Sequence, residues 1–94
     1  MATRLESALE TRCVSKAVAL GYYVRKFKAP GRRNVPDRLF LSPKGVCFFV
    51  EFKREGEEPR PGQTHEHNLI RKNGGVVYVC DSLKSFAIIL ENHS

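Results

Sequence analysis

Residues 46–53 read Val46-Cys47-Phe48-Phe49-Val50-Glu51-Phe52-Lys53, an apolar run that ends in two opposite charges one residue apart. β-Branched and aromatic residues dominate it, which predicts a strand. Both alternating sets at its start, Val46, Phe48 and Val50 on one side and Cys47 and Phe49 on the other, are apolar. The strand is therefore expected to be covered on both faces. Glu51 and Lys53 then point to one face, because side chains two apart on a strand point the same way. A carboxylate and an ammonium at the end of such a strand are costly to desolvate unless they are paired or put to use.

The rest of the chain supplies the layers that a strand of this kind needs. Leu5, Leu9, Cys13, Ala17 and Leu20 recur at helical spacing and predict a helix over 3–20. Thr3 and Glu6 form a capping-box pattern at its start, and Gly21 is a natural stop. A strand over 22–27 follows, then a basic loop over 28–35 and a second strand over 38–41. Ser42-Pro43-Lys44-Gly45 is a turn signal, so the strands on either side should pair as an antiparallel hairpin. A charged loop leads to a helix over 62–73, with Leu69 and Ile70 inward and a basic end at Arg71 and Lys72 that suits the helix dipole. Residues 76–80 read as a short buried strand. Ser82 caps a last helix over 83–92, to which Phe86, Ala87, Ile89 and Leu90 give an apolar face. The strand–helix–strand unit over 46–80 should place its two strands parallel through a right-handed crossover. The fold class is α/β: an α-β-β-β-α-β core with a mixed central sheet flanked by helices, plus a C-terminal helix.

Ninety-four residues make one domain, 1–94. Sixteen Lys and Arg against ten Asp and Glu give a net charge of +6, which favours a polyanionic partner. Cys13, Cys47 and Cys80 include no C-x-x-C pair, so neither a zinc ribbon nor a redox motif is supported. They read as buried free thiols in a reducing compartment. His65-Glu66-His67 could touch a metal, but a solvated helix start is the favoured reading. No apolar run approaches a membrane span and no signal-peptide core precedes the first helix. The expected location is the cytoplasm, or the host cytoplasm for a viral protein.

Upstream of the central strand, Val35-Pro36-Asp37-Arg38-Leu39-Phe40-Leu41 puts a second acid at the head of a second apolar strand. Pro36-Asp37 followed by Glu51-Phe52-Lys53 resembles the PD-(D/E)xK nuclease superfamily. The surroundings sharpen the likeness: Glu10 on a first helix ending in Gly21, the aromatic and basic strand after it, Pro30-Gly31-Arg32-Arg33-Asn34 before Val35, Pro61-Gly62-Gln63, and Gly74-Gly75-Val76-Val77-Tyr78-Val79. Over roughly residues 6–79 the chain resembles a stand-alone member of the VRR-NUC family, with a restriction-endonuclease-like fold. Two departures are visible: Asn34 stands where a glycine often precedes Val-Pro-Asp, and the loop before Gly62 is unusually acidic.

The resemblance implies a Mg²⁺- or Mn²⁺-dependent endonuclease that hydrolyses DNA phosphodiester bonds. Asp37 and Glu51 are then metal ligands, Glu10 a third, direct or through water, and the backbone carbonyl of Phe52 a fourth donor. Lys53 orients or deprotonates the attacking water, or stabilises the pentavalent phosphorus. Gln63 binds a water or a phosphate oxygen. On helical spacing alone Glu6 falls within the apolar stripe and Glu10 on its edge, and the choice between them stays open. The family's helix acid, about three turns before the glycine, selects Glu10. Lys26, Lys28, Arg32, Arg33 and Arg38 flank the acids and are expected to grip phosphates. The alternative is a non-catalytic nucleic-acid-binding domain with the same fold, but a pure binder gains nothing from anions facing phosphate. Stand-alone members of this size look like dimeric junction-resolving nucleases, which implies a homodimer acting on branched DNA such as four-way junctions. The run Phe86, Ile88, Ile89 and Leu90 is more apolar than one helix face needs, which fits such pairing or equally a cover for the sheet; the resemblance favours pairing.

This reading makes one demand on register. A plain four-residue turn pairs Leu41 with Val46, and so Asp37 with Val50, which would put Asp37 and Glu51 on opposite faces. A shared metal site requires a shifted register or a bulge that brings Asp37 opposite Glu51.

Overall fold

The central strand forms as expected and sits inside a sheet. In the computed structural model, which describes residues 4–93, the chain runs α1 (Arg4–Ala19), β1 (Tyr23–Lys26), β2 (Arg38–Leu41), β3 (Cys47–Phe52), α2 (Pro61–Lys72), β4 (Val77–Cys80) and α3 (Leu83–Glu91). The sheet order is β1-β2-β3-β4. The first two pairings are antiparallel and the β3–β4 pairing is parallel. The α/β architecture with a mixed sheet is therefore the one the sequence implies. The Thr3 cap lies outside the described residues.

β3 divides its side chains between two environments. Phe48, Val50 and Phe52 enter the main core with Phe40, Cys13, Ala17 and the α3 residues Phe86, Ile89 and Leu90. Phe40 and Phe48 stack with ring centroids 5.4 Å apart, and Phe86 packs against Phe40 and Phe52. Each buried phenyl ring contributes roughly 1.5–3 kcal/mol of burial. The opposite face carries Phe49, which packs on Phe27 at 5.0 Å, and then Glu51, which meets α2. One face of the strand end is thus oily and the other is polar.

The hairpin turn supplies the register that a shared site needs. Ser42 N–H donates to the Val46 carbonyl and Gly45 N–H to the Ser42 carbonyl, so Ser42 pairs with Val46 and three residues make the loop. Gly45 has φ +84°, the left-handed residue of a type I turn with a G1 bulge. Ser42 Oγ adds support by accepting from the N–H groups of Lys44 and Val46. Downstream, Leu41 pairs with Cys47 and Arg38 with Val50. One more step along that register puts Asp37 opposite Glu51.

Three expectations need correction. Cys47 is exposed, unlike Cys13 and Cys80, because it lies at the hairpin end beyond the reach of the helices. On α2, Leu69 is exposed and Ile70 half-buried, while Gln63 and His67 are the buried residues. His67 is therefore no part of a solvated helix start. The inner face of α2 is polar because it lies over the Glu51 carboxylate, which needs donors. On α3, Ser82 caps the helix as expected, with Oγ accepting from Ser85 N–H. Ile88 is left 52 % exposed while Phe86, Ile89 and Leu90 are buried.

Candidate active site

The site lies where β3 ends and β2 begins. Asp37 extends the β1–β2 ladder, its carbonyl accepting from Phe27 N–H. Its carboxylate reaches across the sheet, and Oδ2 accepts from Phe52 N–H at 2.7 Å. This bond fixes the acid beside the backbone of β3. Burial pushes the Asp37 carboxyl up to about 6, with help from the charges of Glu51 and Glu10, against the opposing pull of the Phe52 N–H and Lys53. Asp37 is thus harder to ionise here than in water, chiefly because it is buried.

Glu51 is only 3 % exposed. Both of its oxygens are held from α2: Gln63 Nε2 donates to Oε2 at 3.2 Å, and His67 Nε2 lies 3.3 Å from Oε1. Gln63 Oε1 in turn accepts from Arg60 N–H, an orphan donor at the helix start, which turns the amide nitrogen toward Glu51. Lys53, two residues beyond Glu51 on the same face, is 5 % exposed. It lines a cleft with Glu51, and its charge acts on Asp37 and Glu57.

A cleft of about 340 Å³ joins these groups; Glu6, Arg33, Asp37, Glu51, Lys53 and Gln63 are in its lining. Of the two α1 acids, Glu6 lines this cleft, while Glu10 acts on Asp37 from an adjoining cavity that Asp37 also lines. Glu10 accepts a 2.5 Å ion-paired hydrogen bond from Arg38 Nε and lines an adjoining cavity of about 550 Å³ with Lys26, Lys28, Arg32, Arg33 and Asp37. The split follows from strand alternation. Arg38 shares its face of β2 with Phe40, toward α1, whereas Asp37 points to the other face. Glu6 reaches Glu57 in the loop after β3, and that hydrogen bond is the main cause that holds Glu57 below the ordinary carboxylate range.

The donors are oxygen ligands of the kind hard divalent cations take. Among the described residues no three His, Cys, Asp and Glu side chains close on one point. Asp37 and Glu51 would therefore hold a cation as a pair, completed by a backbone carbonyl and water, which is the sparse protein coordination that Mg²⁺ accepts. The raised Asp37 carboxyl fits such an occupant, since a cation relieves the repulsion that burial amplifies.

Of the five basic residues expected at phosphates, four line the adjoining cavity directly and Arg38 borders it through Glu10. Arg32 is tied to Glu66 of α2 at 2.6 Å. Asn34 lies against Gly62, where a Cβ would come within 2.6 Å of its amide nitrogen. These two contacts seat the basic loop on the start of α2. The two cavities share Arg33, Val35 and Asp37, so a polyanion lying in one leads to the acids in the other.

A solved structure described as a VRR_NUC domain is similar to this chain with a TM-score of 0.89 and 35 % identity, covering 98 % of this chain and 100 % of that one. A protein of Acyrthosiphon pisum secondary endosymbiont phage 1, named "Putative nuclease p44", is 44 % identical over 77 residues, or 82 % of this chain and 83 % of its own length. The chain belongs to the VRR-NUC family. No family model matches it. Within this VRR-NUC fold, Asp37, Glu51, Lys53 and Gln63 meet in one cleft, while Glu10, paired with Arg38, shares the adjoining cavity with Asp37. Sequence reasoning favoured a solvated helix start for His67 and favoured Glu10 over Glu6, and did not foresee the burial of His67 against Glu51. Gln63 and His67 are four residues apart, so a helix presents them on one face. That spacing was the available signal for His67.

Proposed function

We propose that this VRR-NUC protein is a Mg²⁺- or Mn²⁺-dependent deoxyribonuclease. The single observation that carries the reading is the β2–β3 register, which sets Asp37 opposite Glu51 with Lys53 next on the same face. Asp37, Glu51 and the Phe52 carbonyl would hold the cation, with Glu6 or Glu10 reaching it through water. When bound, the cation supplies charge neutralisation at the phosphate and a lower pKa for attacking water. The protein's own groups do the rest. Asp37 is oriented by Phe52 N–H and Glu51 by Gln63 and His67. Lys53 projects its ammonium toward the reacting phosphate, where it orients the attacking water and offsets charge that develops on phosphorus. Lys26, Lys28 and Arg33 seat the phosphates beside the scissile one in the adjoining cavity.

The resemblance of such small stand-alone members to junction-resolving enzymes supports branched DNA as the preferred substrate. One chain carries one set of acids, and cutting opposite strands of a junction takes two. A homodimer supplies both, and two-fold pairing is the commonest assembly. The exposed Ile88 on α3 offers apolar surface for such pairing. No helix among the described residues is long and apolar enough to cross a membrane, and the relative comes from a phage. Both support action in the cytoplasm of a host cell.

The test is cleavage of a labelled four-way junction and of linear duplex by wild type, Asp37→Asn and Glu51→Gln, with Mg²⁺, Mn²⁺ or chelator. Metal-dependent cutting that both variants lose, with the junction preferred, is expected. Salt-dependent DNA binding without cutting under any metal would point to the binding module instead.

A further inference from the structure

We infer that His67 is a positioning residue, which holds the Glu51 carboxylate in the orientation that a divalent cation requires. The inference rests on the reading of Glu51 as a metal ligand and goes beyond it. His67 is 1 % exposed, on a helix whose remaining residues, apart from Gln63, are exposed or half-buried. A polar ring so deeply buried costs free energy unless it is hydrogen-bonded. Its contact is Glu51: Nε2 lies 3.3 Å from Oε1. A carboxylate only accepts, so Nε2 carries the hydrogen and donates. Gln63, one turn earlier, takes the other oxygen.

Two donors on consecutive turns of one helix therefore grip the two oxygens of one carboxylate. One donor would leave the carboxyl group free to turn about its last torsion. Two donors on different oxygens fix its plane and leave each oxygen with a further lone pair for a cation. Gln63 is itself fixed by Arg60 N–H, so it cannot follow if Glu51 turns. His67 is the second point of the clamp. Partners of this kind behind a ligating carboxylate change metal affinity by about 10–100-fold when lost.

The experiment is Mn²⁺ affinity without DNA, by calorimetry and by paramagnetic resonance of the free ion, with circular dichroism as the check on folding. The proteins are wild type, His67→Leu, His67→Gln and Asp37→Ala. Leucine fills the space and donates nothing; glutamine places an amide N–H about where Nε2 stands. We expect His67→Leu to bind Mn²⁺ about 10–100-fold more weakly while melting near wild type. His67→Gln should recover most of the loss, which a space-filling role would not produce. Should His67→Leu fail to fold, the Gln variant decides alone: near-wild-type affinity supports the inference, and affinity as weak as that of Asp37→Ala overturns it. Wild-type affinity in a folded His67→Leu also overturns it, provided Asp37→Ala has lost Mn²⁺. If Asp37→Ala binds as wild type does, the metal-site reading itself fails and the role of His67 falls with it.

Discussion

Asp37 and Glu51 stand opposite one another across the β2–β3 hairpin, one step beyond the Arg38–Val50 pair, and each is tied to a different element. Asp37 is held by the backbone of β3 through Phe52 N–H, and Glu51 by the side chains of α2. Their spacing is thus set by the sheet and their orientation by what surrounds it. Two acids so placed repel, and folding keeps them together only because the rest of the core outweighs the repulsion.

The cost of burying a charged Asp37, to which this repulsion adds, has a sign and a pH window. Asp37 is raised to about 6 from an ordinary 3.8, chiefly by burial. A carboxyl raised on folding favours the native state while it is protonated. In the metal-free protein this contribution is complete below about pH 4 and is lost as pH rises through about 6. Asp37→Asn removes the charge and keeps an acceptor for Phe52 N–H. We expect it to stabilise metal-free protein at pH 7.5 by on the order of 2 kcal/mol and to have little effect at pH 3.5. Thermal melts in chelator at both pH values check this. An equal effect at the two would mean that charge is not the cause.

Gly45 sets the register through its backbone conformation. A Cβ there would meet nothing within 4 Å, so any penalty for Gly45→Ala comes from φ +84° alone. The expected cost is about 1–2 kcal/mol, or a melting temperature lower by about 4–8 °C per kcal/mol in a domain of this size. A melt indistinguishable from wild type would show that the turn does not hold the register.

Lys28 and Arg33 line the basic cavity. Replacing either with alanine should weaken DNA binding about equally for all sequences and reduce the slope of log affinity against log salt by about 1. Filter binding or fluorescence anisotropy across a salt series measures it. An unchanged slope would remove these residues from the phosphate path.

Ile88 is exposed while its helix neighbours Phe86, Ile89 and Leu90 are buried. If α3 pairs with its copy, Ile88→Asp should convert the dimer to monomer in sedimentation at micromolar concentration and leave the melting temperature nearly unchanged. A dimer that survives the substitution places the contact elsewhere.

Much of this was legible in the residues. The apolar run of β3, the Ser42-Pro43-Lys44-Gly45 turn and the Ser82 cap each fix local structure by short-range chemistry. The need for Asp37 to face Glu51 was legible too, but the device, a three-residue loop with its bulge at Gly45, shows only in the hydrogen bonds. The burial of His67 was not legible, because a polar residue that serves a buried acid looks in sequence like one that faces water. Leu69 was drawn outward for the same reason: the helix turns the side that satisfies Glu51 inward. Glu6 and Glu10 lie one turn apart, and their division between two cavities depends on where Arg38 points, which no helical periodicity encodes.

The central claim is that Asp37 and Glu51 together hold the catalytic cation. Crystals of the wild-type protein grown with Mn²⁺ test it most directly, through anomalous scattering at the manganese edge. The account predicts a peak about 2.1 Å from a carboxylate oxygen of each acid, and its loss in Asp37→Asn. A peak that touches neither residue, in protein that cleaves DNA with Mn²⁺, would contradict it.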